Sequence, residues 1–345
     1  MSIVNLQIQQ LERIGIGVYP TPLEHLPRLS AKLGPKLFVK REDLTGLAMG
    51  GNKVRKLDYL LVDAVKKKAD VLITTSGLQS NWARQTTAAA VKLGMKAVLA
   101  LRTAQFKQVP SNYDGNLLLD HLMGADVRFL KMEIDSDPSP QLNSIGEELR
   151  KQGHNPYVLQ FSAAESPLTT VAYVEALREI VEQSNGQEFD HIVVASGGGS
   201  TQAGLALGAK LFKLKTKIWG INVGAFKKST IPETIVESAA EASTLLGSEE
   251  KLGADEINIS DDYYGTGYGI NTQESLEAIR AAASLEALII DPVYTAKAMS
   301  GLFDLCGKGF FKKDERVCFI HTGGVPALFA YRDSFPMTQP ARILS

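Results

Sequence analysis

From Lys53 to Lys68 the apolar residues stand at 54, 57, 60, 61, 64 and 65, a spacing that predicts an amphipathic helix. It follows a short β-prone run, Leu37–Lys40, then the charged Arg41-Glu42-Asp43 and a turn-like stretch 44–51 with glycines at 46, 50 and 51. Lys53 therefore stands at the mouth of a helix, directly after a glycine pair. Glycines let a backbone approach a bulky ligand, and a helix N-terminus favours an anion. A plain turn followed by a solvated lysine explains the same residues, so the rest of the chain has to decide.

Ahead of this stretch, Tyr19-Pro20-Thr21-Pro22 reads as extended, and 24–33 as a short helix stopped by Gly34-Pro35. After it, apolar runs at 71–75, 96–101, 125–130 and 156–160 predict strands, and the segments 82–93, 116–122 and 139–152 between them predict helices. This alternation implies a parallel α/β sheet over roughly 50–160. A second series follows, with helices at 167–184, 202–212, 231–246, 276–284 and 296–305 and strands at 189–195, 217–223, 288–290 and 316–321. The region 247–275 is richer in turns and aromatics. The expected fold class is α/β with two parallel sheets, without internal repeats or low-complexity tracts.

Length supports that division, since 345 residues and 37.4 kDa are long for one core. With 37 basic and 38 acidic residues the net charge is -1, which argues against a nucleic-acid partner and leaves room for a local anion pocket. Cys306 and Cys318 are too few for a disulfide framework or a thiolate metal cluster. His25, His121, His154, His191 and His321 are scattered, so no metal site is expected. The N-terminus lacks the apolar core of a signal peptide, and no run of 18 apolar residues occurs, so no membrane partner and a cytoplasmic location are expected.

The strongest local chemistry is Ser196-Gly197-Gly198-Gly199-Ser200-Thr201 between an apolar strand and a helix. Its backbone N–H groups, hydroxyls and helix N-terminus fit a phosphate; a tight structural turn is the plainer alternative. It lacks the lysine of a P-loop and the spaced glycines of a dinucleotide fingerprint. Ser76–Asn81 and His321–Gly324 are further polar strand ends, and ligands gather at such ends in parallel sheets. Ser80 and Asn81 could equally be a helix cap, and His321 a core histidine. Tyr268 lies among glycines at 265, 267 and 269, and Tyr294 precedes a helix; either phenol could instead be packed in the core. One candidate lysine, a phosphate cradle and two phenols suit pyridoxal 5'-phosphate, which needs a Schiff-base lysine and a phosphate site.

At this point a resemblance becomes specific. PTPLEHLPRLS (20–30), KREDLTGLAMGGNKVRKLDYL (40–60), LQSNWARQTTAAAVKLGM (78–95), GNLLLDHLMGADVR (115–128), SGGGSTQAG (196–204), GTGYGI (265–270), DPVYTAKAMSGL (291–302) and HTGGVPALFAY (321–331) resemble the 1-aminocyclopropane-1-carboxylate deaminase and D-cysteine desulfhydrase family. The family depends on pyridoxal phosphate and has the tryptophan-synthase-β-like fold, PLP fold type II. The resemblance implies two domains, each with an open twisted parallel sheet flanked by helices. Residues 1–50 with 162–345 would form the larger cofactor-binding domain, and 51–161 a smaller one contributing Lys53, Ser80 and Asn81. The cofactor would lie in the cleft between them, and a homodimer is implied.

Residue by residue, the resemblance makes Lys53 the Schiff-base lysine, Asn81 the partner of the pyridoxal 3'-oxygen, and Gly197, Gly198, Gly199, Ser200 and Thr201 the phosphate loop. Ser80 would meet the substrate carboxylate and help in proton transfer, Tyr268 and Tyr294 would be the active-site phenols, and Thr322 would meet the pyridine nitrogen. Trp82 and Thr295 would complete the substrate pocket. The deaminase branch has glutamate after the second tyrosine and leucine after the histidine, where this chain has Thr295 and Thr322. A neutral hydroxyl supports a weaker electron sink than a carboxylate, which favours β-elimination over cyclopropane opening. The expected reaction is therefore D-cysteine desulfhydration, a carbon–sulfur lyase activity on a small amino acid. The alternatives are 1-aminocyclopropane-1-carboxylate deamination, catalytically silent cofactor or amino-acid binding, and L-cysteate sulfo-lysis, the last because Arg102 and Lys107 could suit an anionic side chain or could be plain surface cations.

Overall fold

Short apolar strands alternating with amphipathic helices build two sheets in the computed structural model, which describes residues 3–103, 113–159, 166–225 and 231–336. The chain opens with α1 (Ile3–Gln10), β1 (Leu23–His25), α2 (Pro27–Leu33) and β2 (Lys36–Lys40). It continues through α3 (Lys53–Lys66), β3 (Val71–Gly77), α4 (Asn81–Lys92), β4 (Lys96–Arg102), α5 (Gly115–Leu122), β5 (Asp126–Leu130), α6 (Ser139–Lys151) and β6 (Pro156–Val158). The second half holds α7 (Pro167–Gln183), β7 (His191–Ser196), α8 (Ser200–Leu211), β8 (Lys217–Asn222), α9 (Ile231–Leu245) and β9 (Asn258–Ser260). It closes with α10 (Gln273–Glu286), α11 (Thr295–Gly307), β10 (Arg316–Ile320) and α12 (Ala327–Ala330).

The smaller sheet has the order β5-β4-β3-β6 and is parallel throughout. The larger runs β1-β2-β10-β7-β8-β9 and is parallel except for β1, which pairs antiparallel with β2. Burial of strands on both faces explains their unbroken apolar runs: β3 is buried at every position. The apolar stripe of α3, Val54, Leu57, Leu61 and Ala64, packs with Leu72 of β3 and Ala89 and Ala90 of α4. In the larger sheet, α7 and α8 cover one face through Tyr173, Ala176, Leu177, Leu205 and Ala209.

Three expectations need correction. Residues 24–33 are not one helix, because Pro27 disfavours the helical conformation in Leu26; β1 zips onto β2 first, and the helix starts at Pro27. That antiparallel β1 also makes the second sheet mixed rather than purely parallel. The run 288–290 is not a strand: Leu288 and Ile290 are buried in the core, but the backbone there is irregular between α10 and α11. Gln160, at the end of the expected fourth strand, lies outside the described residues, as do Lys107 and its neighbours Ala104 and Gln105. Among the described residues no helix is long and apolar enough to cross a membrane.

Candidate active site

The carboxyl ends of β3, β7 and β10 run into 77–81, 197–200 and 321–324, and residues from all three border one cavity. Its wall is drawn from both sheets and from the start of α3. This is where ligands collect in open parallel sheets.

Lys53 enters that wall as the first residue of α3, delivered by a turn with little freedom. Gly46, Ala48, Met49, Gly50 and Gly51 all have positive φ, and a Cβ at Gly50 would lie 1.8 Å from the Asp43 carbonyl oxygen. Thr45 Oγ1 donates to Gly51 O at 2.9 Å and accepts from Gly51 N at 2.8 Å, closing the turn. The Asn52 N–H donates to Thr322 O at 3.0 Å, tying the turn to the loop after β10. Burial alone pushes the Lys53 amine down to about 8.

Opposite lies the glycine loop between β7 and α8. Helix α8 has no side-chain cap, and Gly197, Gly198, Gly199, Ser200 and Thr201 all border the cavity. Lys56 adds a buried cation: its Nζ donates to Ser200 Oγ at 2.6 Å, and no acid pairs with it among the described residues. Burial, then the neighbouring Lys53, pushes its amine well below the usual lysine range. Asn52 Nδ2 reaches Thr201 Oγ1 at 3.3 Å. An uncapped helix end, glycine backbone, two hydroxyls and a buried lysine amine with no acidic partner among the described residues form the donor set of a phosphate site, so the residues fit the phosphate and the reactive carbonyl of pyridoxal phosphate.

On the small-sheet side, Ser80 is both helix cap and cavity residue, its Oγ accepting from Trp82 N at 3.1 Å. Trp82 also borders the cavity and is fixed by its Nε1, which donates to Thr74 Oγ1 at 2.7 Å. Asn81 is buried, with its Oδ1 accepting from Asn116 Nδ2 at 3.0 Å. On the large-sheet side, the phenols of Tyr268 and Tyr294 are hydrogen-bonded to each other. Burial raises both phenols well above their usual range, so both keep their protons. Asp291 holds Tyr294 in place, its Oδ2 accepting from the N–H groups of Val293 at 2.8 Å and Tyr294 at 2.9 Å.

Of the residues singled out from the sequence, Lys53, Ser80, Asn81, Trp82, the loop 197–201, Tyr268, Tyr294 and Thr322 border this cavity. Thr295 does not: its hydroxyl is fully buried and donates to Asp291 Oδ1 at 2.6 Å. His321 is a satisfied core histidine, with Nε2 against Ile289 O at 2.8 Å and Nδ1 accepting from Gly323 N at 3.2 Å. Arg102 turns its guanidinium to the carbonyls of Ile134 and Ser136, and Ile134 borders the cavity. Sequence reasoning missed Lys56, Asn52 and Ile134. The signal for Lys56 was present, since it follows Lys53 by three residues on a helix and so shares its face. Nothing local marks Ile134, which lies between β5 and α6.

Residues 14–323 match the protein family described as "Pyridoxal-phosphate dependent enzyme". The chain is 41% identical to a D-cysteine desulfhydrase of Klebsiella pneumoniae (strain 342) over 335 residues, 96% of this chain and 99% of that protein. A crystal structure of an ACC deaminase homologue superposes with a TM-score of 0.87 at 39% identity, covering 97% of this chain and 98% of the other. Threonine deaminase isoform 2 of Solanum lycopersicum shares the fold, with a TM-score of 0.64 at 19% identity over 93% of this chain and 83% of its own. A family match across nearly the whole chain and a cavity with the right donors agree: the chain belongs to the pyridoxal-phosphate-dependent enzymes.

Proposed function

We propose that this enzyme removes the β-substituent of a small amino acid, and that D-cysteine is its substrate. One water is taken up, and pyruvate, hydrogen sulfide and ammonia are released. The observation that carries this reading is the cavity wall, whose described residues include Thr322, Ser80 and two phenols but no aspartate or glutamate. A neutral hydroxyl near the cofactor ring supports expulsion of a good leaving group better than opening of a carbon ring. Near-full-length similarity to a D-cysteine desulfhydrase supports the same choice.

When bound, pyridoxal phosphate withdraws electrons from the substrate Cα and so acidifies its C–H bond. The chain's own residues do the rest. Lys53 would hold the cofactor covalently and, as a free amine, would take the Cα proton with Ser80 beside it; an amine lowered to about 8 suits both tasks. Gly197, Gly198, Gly199, Ser200, Thr201 and Lys56 bind the phosphate. Asn81 donates to the ring oxygen, Thr322 meets the ring nitrogen, and Ser80 binds the substrate carboxylate. Trp82 forms a side of the substrate pocket. Tyr268 and Tyr294, kept protonated by burial, donate to the departing sulfur.

Arg102 bears on the anionic alternative. Arg102 is not among the described residues that border the cavity, and its Nη1 donates to Ile134 O and Ser136 O beside it, which supports a thiol over a sulfonate as the leaving side chain. The 39% identity to an ACC deaminase homologue keeps ring opening as the second reading. We further infer a homodimer in the cytoplasm, and two domains divided as 1–50 plus 162–345 and 51–161, with the cofactor between them. Contributions to one cavity from both sheets support that division.

The test is keto-acid, sulfide and sulfite release by purified holoenzyme from D-cysteine, L-cysteine, L-cysteate, β-chloro-D-alanine and 1-aminocyclopropane-1-carboxylate. Pyruvate and sulfide from D-cysteine are expected. Release of 2-oxobutanoate from the cyclopropane, without sulfide from D-cysteine, would replace this reading with the second. Sedimentation equilibrium tests the dimer.

A further inference from the structure

Arg84 of α4 is completely buried and sits where the Lys53 turn meets the Asn81 amide. Its Nη1 donates to Ala48 O, its Nη2 to Gly50 O at 3.0 Å, and its Nε to Asn116 Oδ1 at 2.7 Å. Guanidinium is a donor only, so this last contact fixes which end of the Asn116 amide faces it. The Asn116 Nδ2 must then point the other way, where it donates to Asn81 Oδ1 at 3.0 Å and to Gln79 O at 2.9 Å. Arg84 Nη2 adds a longer contact to the same Asn81 oxygen at 3.4 Å. With its oxygen committed, Asn81 has one arrangement left. Its Nδ2 donates to no protein atom among the described residues, and it lies on the side of Gly324, where a Cβ would come within 2.8 Å of it.

We propose that Arg84 and Asn116 are positioning residues that form a hydrogen-bond relay of fixed polarity, forcing Asn81 to present its N–H₂ rather than its carbonyl to an anionic ring oxygen of the cofactor. This rests on the reading, given above, that Asn81 meets that oxygen. The amide of an isolated asparagine could rotate and offer either end to a ligand. A donor-only residue at the far end of the relay removes that choice. The same guanidinium holds two carbonyls of the positive-φ turn that delivers Lys53, so the covalent and polar attachments of the cofactor share one buried anchor.

The experiment is a pH titration of the visible absorbance of the cofactor in the purified holoenzyme. A donor at an anionic oxygen lowers that oxygen's proton affinity, so losing it raises the midpoint. In Asn116→Asp the new carboxylate pairs with Arg84 and offers nothing to Asn81 Oδ1, leaving the Asn81 amide to turn over. Its midpoint should rise by about one pH unit, a tenfold change in proton affinity. Asn81→Ala should rise at least as far, and Asn81→Ala/Asn116→Asp no further than Asn81→Ala alone. Asn116→Ala, which adds no charge, should shift in the same direction and serves if Asn116→Asp does not fold. An unchanged midpoint in both Asn116 variants, with a shift in Asn81→Ala, overturns the relay and leaves Asn81 against the cofactor. A full Asn116→Asp shift that persists without the Asn81 side chain shows charge acting at a distance and also overturns it. No shift in Asn81→Ala overturns both the relay and the placement of Asn81.

Discussion

Lys53 and Lys56 lie one helical turn apart at the cavity wall, Lys56 buried and Lys53 half-buried, and among the described residues no acid pairs with either amine. Burial disfavours the charge on both amines and Lys53 adds to the effect on Lys56, so a cofactor phosphate held here would supply the missing counter-ion. For Lys53 the consequence is a reactive neutral amine: uptake of cofactor by the empty enzyme should accelerate as pH rises through about 8, followed by absorbance in stopped flow. A rate that falls over that range would contradict neutral Lys53 as the nucleophile. Lys53→Ala should lose both the bound-cofactor absorbance and turnover. Lys56 Nζ bonds Ser200 Oγ in the phosphate loop, and replacement by Met would remove the charged hydrogen bond it could make to a bound phosphate, worth ~1.5–3 kcal/mol. The cofactor dissociation constant should therefore rise by about 10–100-fold, measurable by equilibrium dialysis.

At the scale of elements, α4 and α5 carry a cost behind the site. Burial pushes the Asp120 carboxyl up to about 8, with Thr87 and Arg84 offsetting it only in part. The folded protein thus binds this proton more tightly than the unfolded chain, and stability is lost as pH rises from the ordinary carboxylate range to about 8. Asp120→Asn should stabilise the protein by ~1–3 kcal/mol near the top of that window and by almost nothing at its acid end, as read by urea denaturation. Most helices and strands were legible from periodicity because their apolar faces are continuous, as in α3. The exceptions are instructive. At Leu23–His25 the pairing with β2 overrode a helical pattern, and at 288–290 an apolar run met no partner strand and filled the core as irregular chain.

Across the whole molecule, α3 is tied to the larger sheet's cover by a buried ionic network. Arg55 of α3 donates to Glu42 at 2.8 Å and 2.9 Å and to Glu179 of α7 at 2.8 Å and 2.7 Å, while Lys40 of β2 reaches Glu179 at 2.9 Å. Burial pushes Glu42 up, but Arg55, with Lys40 and Thr21, outweighs it and holds the carboxyl at about 2. A depressed folded value gives stability that is present above the usual carboxylate range and lost as pH falls toward about 2. Arg55→Met leaves two buried carboxylates short of a partner and should cost ~3–5 kcal/mol near neutral pH, with the deficit narrowing in acid. A variant as stable as the parent at neutral pH would remove this network from the account of how α3 is held.

The sequence by itself determined the α/β class, the cofactor and the chemical nature of the loop 196–201, because glycine spacing, strand-to-helix junctions and the ordered motifs are local properties of the chain. Only the tertiary structure decided what surrounds them. It brought Lys56 and Ile134 to the cavity, turned Thr295 inward to Asp291, and engaged Arg102 with backbone carbonyls. It also linked Arg84 through Asn116 to Asn81, residues that the chain keeps 32 and 35 positions apart. Hydrogen-bond polarity and the commitment of a buried charge depend on which atoms meet at about 3 Å, and no spacing along a chain specifies that.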